Sequence, residues 1–345
     1  MTSKSPLLIH GMHGLGDNIH QRAIIRALLK RDNSIALETS WPCVYQDLAG
    51  PDLRFIRKPV ALRTQLKNAA REAHKFVPGV PPHHAVHSVR ITYTRSGTVP
   101  ILQTMFAAVG IPDDYAEADY RLPIPAEWTL NADMLRESWK TTKPVMIYRP
   151  LIVRPEYRLG DLRNADADNY AELVAMVRDS FFVVSLADLE PNREWIVGPQ
   201  LIADATYHNG ELPFETMAAV VAKATLLYTS SGFPAVLGPA VGVPTISIES
   251  GYEPLTWHAD GAKFVPYLGL TTKTTGIPSA RAAVAEFVGK LGISTAAETR
   301  PMSEIFIPAA HLPEPVRGAP QPRVMPRVRV GHPSLLYQRR PPVKA

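Results

Sequence analysis

Apolar and polar positions along this chain switch repeatedly between two periods. PLLIHG (6–11) is a short apolar run suited to a strand buried on both faces. It leads into residues 17–31, where Ile19, Ala23, Ala27 and Leu28 share one helical face. SIALETSW (34–41) and LRFIRKP (53–59) read as strands and TQLKNAAREAHKF (64–76) as a helix. SVRITY (88–93) alternates like a strand, and VPILQTMFAAVG (99–110) is a helix stopped at Gly110. Residues 111–143 break this rhythm: they are polar and proline-bearing, with one helix over ADMLRESWK.

The rhythm then restarts. PVMIYRP (144–150), FFVVSL (181–186), TLLYTS (225–230) and PTISIE (244–249) read as strands. NYAELVAMVRD (169–179), ETMAAVVAKA (215–224), FPAVLGPAVG (233–242) and ARAAVAEFVGKLG (280–292) read as helices. Strands alternating with helices predict parallel sheets covered on both faces. The expected fold class is α/β with two Rossmann-like domains, 1–143 and 144–300, each of ordinary domain size.

Charge changes the picture only at the end. Residues 301–345 hold seven of the 37 basic side chains (Arg317, Arg323, Arg327, Arg329, Arg339, Arg340, Lys344) and two of the 32 acidic ones, leaving thirty of each in the body. The net charge of +5 therefore belongs to the tail, which also holds ten prolines. Proline removes backbone donors and fixes φ, so 301–345 is expected to be an extended basic arm. No apolar run approaches the roughly 18 residues needed to span a bilayer. Cys43 is the only cysteine, which gives no disulfide framework and no cysteine-based metal site. The first residues lack a signal-peptide pattern, so a soluble, cytoplasmic protein is expected.

Two glycine-bearing turns carry the candidate chemistry. In HGMHGLGDNIHQR, Gly11, Gly14 and Gly16 precede Asp17 and a helix. This spacing is neither the dinucleotide G-x-G-x-x-G nor a P-loop, in which lysine follows the last glycine. A carboxylate at a helix N-terminus is stabilised by the helix dipole. Asp17 thus reads either as an N-cap or as a general base at the carboxyl end of a strand, where open α/β sheets bind ligands. The second turn, LLYTSSGFPAVLGPAVGVPTISIE (226–249), runs strand, small polar turn, helix, strand. His10, His13 and His20 flank the first loop and His83, His84 and His87 cluster later, but no H-E-x-x-H or common zinc spacing occurs, and no metal is expected.

Together, GLGD and the SSGFP…GVPT segment resemble GT-B glycosyltransferases of the heptosyltransferase-like kind, over most of residues 6–290. The resemblance implies two lobes facing a cleft, with a nucleotide-diphosphate sugar as co-substrate and no bound cofactor. Asp17 then looks like the catalytic base. Ser230, Ser231 and Gly232 look like the turn whose N–H groups hold the donor diphosphate, helped by Arg149, Arg154 and Arg158 from YRPLIVRPEYR. Glu190 and Asp188 match the acid on the donor ribose. His10, His13, Gly14, Gly16, His20, Arg22 and Trp41 would border the acceptor. The family's aspartate in the phosphate turn is Ser230 here, and its histidine is replaced by Ala235 or lies elsewhere. The same segments are also similar to glycosyltransferases of some bacteriophages, including ones that decorate hydroxymethylated DNA bases, and the basic arm points to DNA as acceptor. The alternatives are a saccharide-directed enzyme of the lipopolysaccharide type, a sugar-nucleotide epimerase, and a non-catalytic nucleic-acid-binding protein. A purely binding module would have no use for a carboxylate in a phosphate cleft. Oligomeric state is left open.

Overall fold

The computed structural model describes residues 7–31, 33–60, 62–78, 87–94, 99–154, 160–252, 254–293 and 301–307. The first half runs β1 (Leu7–His10), α1 (Leu15–Lys30), β2 (Ile35–Thr39), β3 (Leu53–Arg57), α2 (Arg63–Arg71), β4 (Ser88–Arg90), α3 (Ile101–Ala108) and α4 (Ala126–Ser138). The second begins β5 (Val145–Tyr148), β6 (Ile152–Val153), α5 (Ala167–Arg178), β7 (Phe182–Leu186), β8 (Trp195–Ile196), β9 (Gln200–Leu201), β10 (Ala205–Tyr207) and α6 (Phe214–Ala222). It continues β11 (Leu226–Ser230), α7 (Phe233–Ala240), β12 (Thr245–Ile248), β13 (Tyr267–Leu270), α8 (Thr272–Thr275), α9 (Ile277–Lys290), α10 (Met302–Ile305) and β14 (Phe306–Ile307).

Two parallel sheets result, ordered β3-β2-β1-β4 and β10-β7-β5-β11-β12-β13. In each, the chain leaves the central strand, β1 or β5, in one direction and later returns to its other side. Loops after the central strands therefore open into the crevice where such sheets bind ligands. Every residue of β5, β11 and β12 is buried, as expected for strands covered on both faces. One apolar cluster includes Ile9 and Leu37 of the first sheet together with Val184 and Leu227 of the second. A second cluster, under α5 and α9, seals the other face of the larger sheet. The two sheets share a core.

Three stretches differ from the sequence expectation. The α4 helix starts at Ala126, after Pro125, and buries Trp128 well before ADMLRESWK begins. Strands β10 and β13 were not legible, because ATY is too short and YLGL carries a glycine. Residues 301–307 belong to the second half rather than to an extended arm: β14 pairs antiparallel with β9, and Ile305 and Phe306 are buried in the second cluster. The remainder of the arm, 308–345, lies outside the described residues, as do Arg158, His83 and His84.

Candidate active site

The loop from β1 to α1 is held by a buried polar network. Asn18 Nδ2 donates to the carbonyls of Met12 (3.0 Å) and Gly14 (2.7 Å). Its Oδ1 accepts from Thr39 Oγ1 (2.7 Å) and Gln21 Nε2 (3.1 Å). Gln21 Oε1 accepts from the Met12 amide (2.9 Å), and Lys58 Nζ donates to the Gly11 carbonyl (2.5 Å). Gly11 is required sterically, since a Cβ there would lie 2.5 Å from the Glu38 carbonyl oxygen. Helix α1 is capped by Gly14, which offers no side chain, and Asp17 is the third residue of its first turn. Asp17 is therefore not the N-cap. Its carboxylate still gains from the helix dipole.

The second turn meets the first. Gly232 caps α7 with φ +132°, a conformation that favours glycine, and no side chain caps the first N–H groups of that helix. Gly16 packs directly on this turn: a Cβ at 16 would be 3.0 Å from Phe233 Cα. The N-terminal ends of α1 and α7 thus converge on one cavity of about 550 Å³, between the two sheets.

Most of the expected residues line that cavity: Asp17, His13, Gly14, Gly16, His20, Trp41, Arg149, Arg154, Asp188, Ser230, Ser231 and Gly232. Arg149 is anchored by Nη1 on the Leu186 carbonyl (3.0 Å), with its guanidinium over the Phe233 ring at 5.8 Å. Burial, then the neighbouring Arg154, pushes Arg149 down to about 9, so it remains a cation at neutral pH in a place that disfavours unpaired positive charge. Such a site favours an arriving anion.

Three expected residues are not on the cavity. Arg22 is fully buried, forks onto Asp47 with two contacts of 2.7 Å, and donates to the Val44 and Arg121 carbonyls. It ties α1 to the segments at 44–47 and 121 and does not line the cavity. His10 Nδ1 contacts Glu38 Oε2 at 2.7 Å. Glu190 pairs with Arg193 (3.1 Å) and Arg63 (3.7 Å). Asp188 does line the cavity but is held by Arg63 of the other half, Nη1 to Oδ1 at 3.0 Å. Arg63 also reaches Glu194 Oε2 (2.8 Å), a buried carboxylate that lies 3.5 Å from Arg154 Nε. An ion cluster thus bridges the halves beside the cavity.

Reading the sequence missed Gln65, Tyr93, Asn164 and His258, all on the cavity wall. A signal for Gln65 existed. The buried face of α2 and the turn after it is polar, with Gln65, Asn68 and Glu72 at helical spacing where a core-facing helix carries apolar residues. Asn68 Nδ2 donates to the Ser40 carbonyl (2.6 Å) and Glu72 (2.7 Å). Among the described residues one group of metal-type atoms comes within 4.8 Å: Cys43, Glu72 and Glu215. Its carboxylates already pair with Lys75 and Arg71, each at 2.7 Å, and burial raises the Cys43 thiol well above its usual value. These residues form an ion-pair cluster that does not suit a cation. No helix among the described residues is long and apolar enough to cross a membrane.

No protein-family model and no curated protein matches this chain. Solved structures do. The glycosyl transferase family 9 protein from Veillonella parvula superimposes with a TM-score of 0.51 at 14% identity, covering 84% of this chain and 97% of that one. The E. coli ADP-heptose LPS heptosyltransferase II gives 0.52 at 12% identity, covering 83% and 98%. At such identities the likeness speaks for fold, and the fold of this chain is that of the GT-B glycosyltransferases.

Proposed function

We propose that this protein is a nucleotide-sugar-dependent glycosyltransferase that moves a sugar to an acceptor hydroxyl with inversion. The observation that carries the reading is the meeting of a helix-borne carboxylate, Asp17, with the α7 N-terminus, Arg149 and Arg154 on one cavity. The donor belongs to the half from 144 to 307 and the acceptor to the half from 1 to 143. Asp17 takes the proton from the attacking hydroxyl. The arginines and the N–H groups of the turn at 231–232 stabilise charge growing on the departing diphosphate. Asp188 is the acid placed to meet the donor ribose. Donor and acceptor that fill the cavity displace water that would hydrolyse the donor.

For the acceptor, a saccharide is supported by the likeness to a protein named for lipopolysaccharide heptose transfer. DNA is supported by the basic arm alone. The test incubates the protein with a panel of nucleotide sugars and follows nucleoside diphosphate release, with an oligosaccharide acceptor and with DNA containing hydroxymethylated bases. Release that depends on acceptor and drops at least ~100-fold in Asp17→Asn, the usual scale for a lost general base, is expected. Release at the wild-type rate in Asp17→Asn would leave that residue a structural helix-end carboxylate.

A further inference from the structure

Two arginines from opposite halves share the same two acceptors. Arg63 begins α2 in the first half, and Arg154 follows β6 in the second. Each donates from Nη2 to the Asp188 carbonyl, at 2.8 Å in both cases. Each also faces the Glu194 carboxylate, whose side chain is 2% exposed: Arg63 Nη2 lies 2.8 Å from Oε2, and Arg154 Nε lies 3.5 Å from Oε1. The Glu190 amide donates to Oε2 as well (2.9 Å). Arg154 lines the cavity and Arg63 does not. What places Arg63 is the docking of α2 on the second half. Lys67 and Arg71, at successive i+4 positions on the same helical face, reach the Gly210 carbonyl (3.1 Å) and Glu215 (2.7 Å).

A buried carboxylate requires a cation beside it, and the attraction falls with distance. With α2 docked, the nearer cation is Arg63, and the Arg154 contact is longer than a hydrogen bond. Arg154 therefore keeps donors for an anion in the cavity. Without Arg63, Arg154 is the one cation among the described residues still within 4.0 Å of Glu194. The buried charge then draws that guanidinium to itself, and an arriving diphosphate has to compete with Glu194 for it.

We infer that Arg63 is a positioning residue for the other half: by occupying Glu194 it leaves Arg154 to the donor diphosphate, so that the grip on the donor depends on the docking of α2. The inference rests on the reading of Arg154 as a diphosphate ligand. It is tested on the full chain by calorimetry with ADP and by NMR of the Arg154 Nε–H group, assigned by its loss in Arg154→Lys. Arg63→Met should weaken ADP about fivefold, the worth of one hydrogen bond, although Arg63 is off the cavity. Adding Glu194→Gln should restore the affinity to within about twofold of wild type, since the competing charge is gone. In Arg154→Met, Arg63→Met should cause no further loss. Without ligand, the Nε–H resonance should move in Arg63→Met and return in the Arg63→Met, Glu194→Gln double variant. ADP affinity unchanged in Arg63→Met, a loss that Glu194→Gln does not restore, a further loss in the Arg154→Met background, or a resonance that stays in place overturns the coupling. If ADP does not bind the wild type but the resonance moves and returns as expected, the donor assignment fails and the coupling of Arg63 to Arg154 through Glu194 stands.

Discussion

The Asp17 carboxylate folds back over Gly14: a Cβ built at 14 would lie 2.6 Å from Asp17 Oδ2. The glycine at the helix cap is thus tied to the position of the candidate base. At Gly11 the obstacle is different, a backbone carbonyl at 2.5 Å. A side-chain carboxylate can turn aside, whereas a sheet carbonyl cannot. Gly14→Ala should therefore lower turnover while leaving the unfolding midpoint nearly in place. Gly11→Ala should lower the midpoint itself, by about 1–3 kcal/mol of stability as for other overpacked sites. Denaturant titration beside rate measurements separates the two; equal effects of both on stability would contradict the steric account.

Arg149 and Arg154 are expected to hold the donor diphosphate. Replacing either with alanine should weaken nucleoside diphosphate binding by about 1.5–3 kcal/mol, typical of hydrogen bonds to charged groups. Isothermal calorimetry on both variants checks this, and unchanged affinity in both would remove them from the donor site.

Arg63 joins the halves through Asp188 and Glu194. In Arg63→Ala the Glu194 carboxylate, only 2% exposed, keeps Arg154 at 3.5 Å but loses its 2.8 Å partner. Breaking a buried pair costs about 3–5 kcal/mol, and the remaining arginine together with the partial exposure of Arg63 should reduce this to about 2 kcal/mol. Urea unfolding gives the number. An unaltered midpoint would show the cluster to be incidental to stability.

Burial lowers His20, and His13 and His208 are lowered for the same leading reason. A histidine whose folded pKa lies below the unfolded 6.5 binds fewer protons folded than unfolded, so protonation favours unfolding. The stability associated with the neutral ring is present above pH 6.5 and is lost as pH falls below it. Unfolding free energies measured from pH 8 to pH 5 should decline, and His20→Phe should flatten the decline. A slope identical in the variant would mean that His20 binds protons as readily in the folded protein as in the unfolded chain.

Truncation after Ile307 separates the acceptors while sparing β14. If the acceptor is DNA, removing the seven cations beyond that point should abolish activity on duplex at moderate salt and spare a small acceptor, because phosphate contacts bring counterion release. If the acceptor is a saccharide, transfer should persist. Wild-type DNA modification with wild-type salt dependence in the truncated protein would detach the arm from the acceptor.

The periodicity of apolar positions was enough to place β1, β2, β5, β7, β11 and β12 and the helices between them, because strands buried on two faces and helices buried on one leave distinct spacings. The glycines at 11, 14, 16 and 232 marked the two turns, since backbone that approaches other chain closely or adopts positive φ admits little else. Partners were not legible. The sequence shows Arg22 in the helix after the first glycine turn and Arg149 just after a strand, both as arginines close to candidate site loops. Only the tertiary structure gives the first to Asp47 in the interior and the second to the cavity, because ion pairing across 25 residues depends on where loops return. Likewise the polar spacing of α2 marks Gln65, but only the tertiary structure folds that face onto the His13 carbonyl, to which the Gln65 amide nitrogen donates.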